Sequence, residues 1–161
     1  RTPRPRCERS RSARPRIEMQ ETLRPGPEST VVMGQGETPT ILVVDDEPDT
    51  LELICTLLET ARFTTKGVRN ADEAVDYTRE HVPDLFLIDY MMPETDGMTT
   101  LQRCRALPGA RKVPAIMLTA DNRLATLEHA ISRGFDEFLT KPILDTDDFL
   151  RRLEDVMSRI S

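Results

Sequence analysis

Tryptophan is absent from this 161-residue sequence, and only two tyrosines occur, Tyr77 and Tyr90. A flavin-binding electron carrier would need stacking aromatics and a hydroxyl-rich phosphate loop, so that class is set aside. No Gly-x-x-x-x-Gly-Lys-Ser/Thr stretch is present to cradle phosphates, which removes the P-loop nucleotide hydrolases; the Thr-Lys-Pro at 140–142 is too short a likeness to a base-reading loop to reverse this. The three cysteines, Cys7, Cys55 and Cys104, are widely spaced and form no metal or redox pattern. They read as reduced thiols of a cytoplasmic protein. No apolar stretch approaches the ~20 residues of a membrane span, and the N-terminal arginines are followed by no apolar signal core. Basic residues are scarce after the first quarter of the chain. Residues 1–37 hold eight Arg against five acids, +3, and residues 38–161 hold fourteen bases against twenty-three acids, −9. So acidic a body argues against nucleic-acid binding by the folded part.

Residues 1–37 alternate Arg, Pro and Ser, then Gly, Pro and Glu, with almost no periodic apolar positions. Such a composition cannot offset chain entropy by burial, and the segment is expected to be a disordered leader or an added extension. Met33 would make a natural start. From 38 to 161 the sequence reads as one domain, with 38% hydrophobic residues overall. Strands are expected at "TILVV" (40–44), "TTKGV" (64–68), "LFLI" (85–88), "PAIML" (114–118) and "EFL" (137–139). Helices are expected between and after them: from Pro48, a favoured first helical residue, through Leu58; from the Asn70 cap to Glu80; from Met98 to Arg105; along Leu124, Leu127 and Ile131 to Gly134; and along Phe149, Leu153, Val156 and Ile160. Continuous V/I/L strands alternating with helices predict an α/β fold, a doubly wound five-stranded parallel sheet covered on both faces. In such sheets the functional crevice lies beyond the carboxyl ends of the strands.

Those ends carry Asp45, Asp46 and Glu47 after the first strand, Asp89 after the third, Thr119 after the fourth and Lys141 after the fifth. Three aspartates from two strands cannot gather as bare anions, because like charges destabilise one another. A Mg²⁺ ion, which takes oxygen ligands and keeps several waters, resolves the conflict, and Lys141 adds a second positive charge. A carboxylate held beside a cation, an ammonium and a hydroxyl is suited to attack phosphorus, which needs little beyond in-line positioning and charge neutralisation. Asp89 is then the nucleophile and an aspartyl phosphate the product. Each residue has a plainer reading alone: Asp46 and Asp49 stand near a helix start where acids cap, Asp89 could be a turn residue, Thr119 a satisfied strand-end hydroxyl, and Lys141-Pro142 a surface turn. Agreement at four strand ends favours the joint reading. His81 and His129 lie at no strand end and read as helix-surface residues.

The segments "ILVVDDE", "PDLFLIDYMMPETDG", "IMLTA" and "FLTKP", in this order and spacing, resemble the receiver domain of two-component response regulators over about residues 38–161. The resemblance implies a (βα)5 flavodoxin-like receiver fold and a phosphorylation-dependent switch rather than an enzyme. It implies that Asp89 accepts a phosphoryl group from a histidine of a sensor kinase or phosphotransfer protein. Asp46 would ligate Mg²⁺ directly, Asp45 through water, and the Met91 backbone carbonyl would complete the protein ligands beside Asp89. Thr119 and Lys141 would bind the phosphoryl group, and the Lys141–Pro142 bond would be cis. Phe138, where the family often has Tyr, would turn into space opened when Thr119 moves, changing the face of the fourth helix, fifth strand and fifth helix. That face would contact an output partner or, on phosphorylation, a second copy. Met91 and Asp121 would flank the water's approach to the phosphate, and Phe135 would widen the apolar patch near the end of the fourth helix. A stand-alone receiver and a piece of a longer regulator or hybrid kinase both fit a sequence that closes on the fifth helix. The rival is a phosphohydrolase of the haloacid dehalogenase type, which also uses Asp, Mg²⁺, Thr and Lys. "VVDDEPD" lacks its Asp-x-Asp spacing, and no cap domain is visible.

Overall fold

Strings of apolar residues too short to cross a membrane and too continuous to face water on one side become the three central strands of a five-stranded sheet, and two more polar strands form its edges. The computed structural model describes residues 38–159. Within them the order is β1 (Thr40–Val44), α1 (Pro48–Thr60), β2 (Thr64–Val68), α2 (Ala71–Glu80), β3 (Leu85–Asp89), α3 (Gly97–Arg105), β4 (Ala115–Thr119), α4 (Leu124–Ser132), β5 (Glu137–Thr140) and α5 (Thr146–Ser158). All pairings are parallel, and the strands lie in the order β2-β1-β3-β4-β5. This is the doubly wound sheet read from the sequence. The expected leader, 1–37, and Ile160 of the last helix lie outside the described residues.

The alternation hidden inside the apolar strings is a choice between two buried faces. In β1, Leu42 and Val44 pack with Phe86, Ile88 and residues of α2 and α3, while Ile41 and Val43 pack with Leu85, Leu87 and residues of α1 and α5. The order of strand addition reverses between β1, which leads out to β2, and β3, which begins the run to β5. The crevice therefore opens where β1 and β3 end side by side.

Helix ends follow local chemistry. Asn70 caps α2 by accepting from the Glu73 N–H at 2.9 Å, Asp96 caps α3 through the Thr99 N–H, and Asp145 caps α5 through the Asp148 N–H. α1 has Pro48 at its first position and Glu47 as cap residue, with no side-chain cap bond. Neither Asp46 nor Asp49 serves as its cap, so the plainer reading of that acidic cluster does not hold.

Three strands end one residue later than the sequence reading has them. β3 runs on through Asp89, β4 through Thr119 and β5 through Thr140, because each polar end residue still pairs with a neighbouring strand. α4 differs more. Its helical spacing is real, but Leu124 and Ile131 are exposed, and Ala130 is its only fully buried residue. Phe135 does not widen a surface patch: it is buried in the cluster with Phe86 and Ala130. The chain reaches it through Gly134 at φ +101, where a side chain would also meet the Arg105 guanidinium 2.6 Å away. That guanidinium ties α3 to the next two turns, donating to the Gly134 and Val113 carbonyls.

Candidate functional site

The parallel register brings Asp45 and Asp46, just past β1, beside Asp89 at the last position of β3. One carboxylate oxygen from each lies within 4.8 Å of the others. Asp45 is wholly buried and Asp89 nearly so. Lys141, just past β5, reaches across: its Nζ donates to Asp45 Oδ2 at 2.6 Å and stands 3.3 Å from Asp89 Oδ1. The Lys141–Pro142 peptide bond is cis. Two backbone donors complete the packing of charge. Glu47 N–H donates to Asp45 Oδ1 at 3.0 Å, and Met91 N–H points at Asp89 Oδ1 from 3.4 Å. The Met91 side chain itself is exposed.

Electrostatics follow from this crowding. Burial pushes the Asp89 carboxyl up to about 6, the Lys141 ammonium pulls it down, and the Asp45 charge raises it again. Burial alone would depress Lys141, but its bond to Asp45 and the charges of Asp89 and Asp45 more than offset this and leave it raised. Three carboxylates thus face one ammonium, a negative excess that suits a hard divalent cation with oxygen ligands. The donor set is all-oxygen and holds neither thiol nor imidazole, which fits Mg²⁺ rather than a softer metal.

Thr119 ends β4 at the same edge, fully buried. Its hydroxyl is occupied: it accepts from the Asp121 N–H at 2.9 Å and donates to the Asp121 carbonyl at 3.1 Å. Phe138 lies in β5, partly buried against the cluster that contains Phe86, with the Arg152 guanidinium 6.0 Å from its ring centre. It lines an apolar groove of about 390 Å³ with Leu124, Leu127 and Ile131. His81 and His129 are away from the rim; the first stacks on Tyr77, and the second accepts from Arg133.

Two positions of the site escaped the sequence reading. Gly97 opens α3 against the Asp89 backbone, and a Cβ there would sit 2.4 Å from the Asp89 carbonyl oxygen. Its N–H donates to the Tyr90 carbonyl, closing the loop that carries Met91. The signal was the Asp-Gly pair at 96–97, which a cap explains only in part. Arg123 is the other. Its guanidinium grips both oxygens of Asp121, and nothing in the motif spacing announced it.

A family model of the response regulator receiver domain matches residues 41–154. The chain belongs to that family. Receiver domains are the phosphorylation-dependent switches of two-component signalling and work with histidine kinases; they are not enzymes in the ordinary sense, and the phosphohydrolase alternative finds no support. This receiver is 41% identical over 100 residues to an uncharacterised 14.6 kDa protein of Leptolyngbya boryana, a match covering 62% of this chain and 76% of that one. It is 33% identical over 118 residues to the phosphate regulon transcriptional regulatory protein PhoB of Escherichia coli K12, covering 73% of this chain. The chain spans about half the length of that regulator, 51%. Among solved structures, it is similar to the receiver domain of a sensor histidine kinase from Pseudomonas aeruginosa PAO1. The TM-score is 0.68 and the identity 26%, over 75% of this chain and 98% of that one, and that protein holds a magnesium ion in its active-site cleft. Among the described residues, no helix is long and apolar enough to cross a membrane.

Proposed function

We propose that residues 38–161 form a cytoplasmic receiver that takes a phosphoryl group onto Asp89 from the phosphohistidine of a sensor kinase or phosphotransfer protein. The observation that supports this most directly is the meeting of Asp45, Asp46 and Asp89 within 4.8 Å, with Lys141 bonded to the first and facing the third. Asp89 Oδ1 faces Lys141 and the Met91 N–H, leaving its other oxygen as the nucleophile. That oxygen forms a bond to phosphorus as the P–N bond to the donor imidazole breaks, and the ring nitrogen keeps the electron pair. Asp45, Asp46, Asp89 and the Met91 carbonyl would hold Mg²⁺, which when bound neutralises charge on the phosphoryl oxygens. Lys141 steadies the same oxygens from the opposite side, and Thr119 binds them once it leaves Asp121. Water attack on the acyl phosphate later restores the carboxylate and releases inorganic phosphate.

Withdrawal of Thr119 toward the phosphoryl group vacates space beside β5, and Phe138 turns into it. The groove of Leu124, Leu127 and Ile131 then changes shape, which is the readout offered to an output partner or a second copy. Intact mass after incubation with acetyl phosphate and Mg²⁺ tests the reading. One added phosphoryl group is expected on the wild type, and none after Asp89→Asn or with EDTA. Persistence of the added mass in Asp89→Asn would sink the assignment of the acceptor. The size of the phosphorylated species in solution reports pairing with a second copy.

A further inference from the structure

The hydroxyl of Thr119 has a single proton, and in this structure that proton is spent on the Asp121 carbonyl, while its oxygen accepts the Asp121 N–H. Binding a phosphoryl oxygen requires that this pair of bonds be broken, so whatever fixes Asp121 opposes the active state. Asp121 is fixed from two sides. Its Oδ1 accepts the Arg123 N–H at 3.0 Å and the Arg123 Nε at 2.9 Å, and its Oδ2 accepts from the Arg123 guanidinium and from the Thr126 hydroxyl at 3.0 Å. Thr126 belongs to the first turn of α4, whose cap residue, Arg123, gives no side-chain cap bond. The Asp121 carboxylate therefore fastens the end of β4 to the start of α4. Hydrogen bonds to Arg123 hold its carboxyl well below the usual range, so it stays ionised in this role.

Resting on the receiver reading, we infer that Arg123 and Thr126 are positioning residues: through Asp121 they latch the Thr119 hydroxyl away from Asp89 and bias the switch toward its resting state. The latch shifts the balance only by what it contributes to one state and not the other. Arg123 is largely exposed, with 80% of its side chain in solvent. Exposed ion pairs are weak, which limits the expected shift to about two- to fivefold.

Beryllofluoride, a phosphoryl mimic that seats on an aspartate with Mg²⁺, reads the balance at equilibrium. Arg123→Gln and Thr126→Val free the same carboxylate from opposite sides without touching the metal cluster. Both are expected to bind beryllofluoride about two- to fivefold more tightly than wild type, with Mg²⁺ affinity in its absence unchanged. If either variant binds the mimic equally or less tightly, the latch is overturned. Weakening by Arg123→Gln would mean that the guanidinium attracts the incoming anion instead. An equal shift in Mg²⁺ affinity also overturns it, since that marks a general disturbance of the rim. If the wild type binds no beryllofluoride at all, the receiver reading falls and the latch with it. Binding by wild type with unaltered variants removes the latch alone.

Discussion

The edge where β1 and β3 end and the edge made by β5 with α4 are built differently, although one sheet supports both. At the first, Ile41 to Val44 and Leu85 to Ile88 are completely buried, and Asp45 and Asp89 both face Lys141 from the end of another strand. At the second, β5 has one buried residue, Leu139, and α4 has one, Ala130. Leu124 and Ile131 face solvent there across the groove from Phe138. On the proposed reading, chemistry sits on the stiff half because in-line transfer tolerates little displacement. The proposed readout falls on the loosely packed half, where a segment that must repack is not held by a deep core. Between them stands the Thr119–Asp121 turn, belonging to the buried strand at one end and the exposed helix at the other.

The sharpest way to break this contrast is to cut into the stiff half. Phe86 is fully buried at the centre of the sheet, packed among Leu42, Val44 and Met117. Phe86→Ala is expected to cost about 3–5 kcal/mol, the range for emptying a large core site that cannot collapse. Urea unfolding followed by circular dichroism measures it, and a loss under about 1 kcal/mol would show that this half is no stiffer than the other.

A smaller effect of opposite sign is expected at the rim. The folded Asp89 carboxyl titrates near 6 instead of the usual 3.8, so between those values the folded state keeps a proton that the unfolded chain has lost. Metal-free protein therefore loses stability as pH rises through that window, and the deficit is complete at neutral pH. By the raised value it amounts to roughly 2–3 kcal/mol. In EDTA at pH 7, Asp89→Asn should be the more stable protein by on the order of 2 kcal/mol, and the difference should shrink toward the lower end of the window. Adding Mg²⁺ should recover stability in the wild type by mass action. Parallel pH profiles for the two proteins in EDTA would remove the claim that Asp89 is held charged against its surroundings.

The stiff half was the legible half. Unbroken runs such as "LFLI" declare burial on both faces, and alternating helices make the strands parallel, so Asp45, Asp46, Asp89 and Lys141 could be placed at one edge from spacing alone. What the sequence hid depends on close approach or on side-chain direction. Gly97 is needed because α3 starts so near the Asp89 carbonyl that a Cβ would sit 2.4 Å from its oxygen, a closeness that no local pattern encodes. Phe135 and Leu124 show the limit of apolar spacing. Both are large hydrophobics near α4, yet the turn at Gly134 carries Phe135 inward while the helix presents Leu124 to solvent. The grip of Arg123 on Asp121 leaves no mark in the sequence, since a lone Arg two residues past an Asp is ordinary in any surface turn.

The smallest predicted effect tests the loose half. Ile131 and Leu124 are helical, apolar and aligned with Leu127, a pattern that in α5 marks core residues: Phe149, Leu153 and Val156 are all buried. Were α4 packed like α5, Ile131→Ala would cost about 2–5 kcal/mol. With 48% of the residue exposed, the loss of stability should stay within about 0.5 kcal/mol. The substitution should act instead on what the phosphorylated protein binds, because it trims the wall of the groove and leaves the rim untouched. Comparing the urea midpoint with the acetyl phosphate labelling yield separates the two outcomes. An unchanged yield and midpoint place Ile131 outside both core and chemistry, whereas a fall in the midpoint of core size would make α4 as firmly seated as α5.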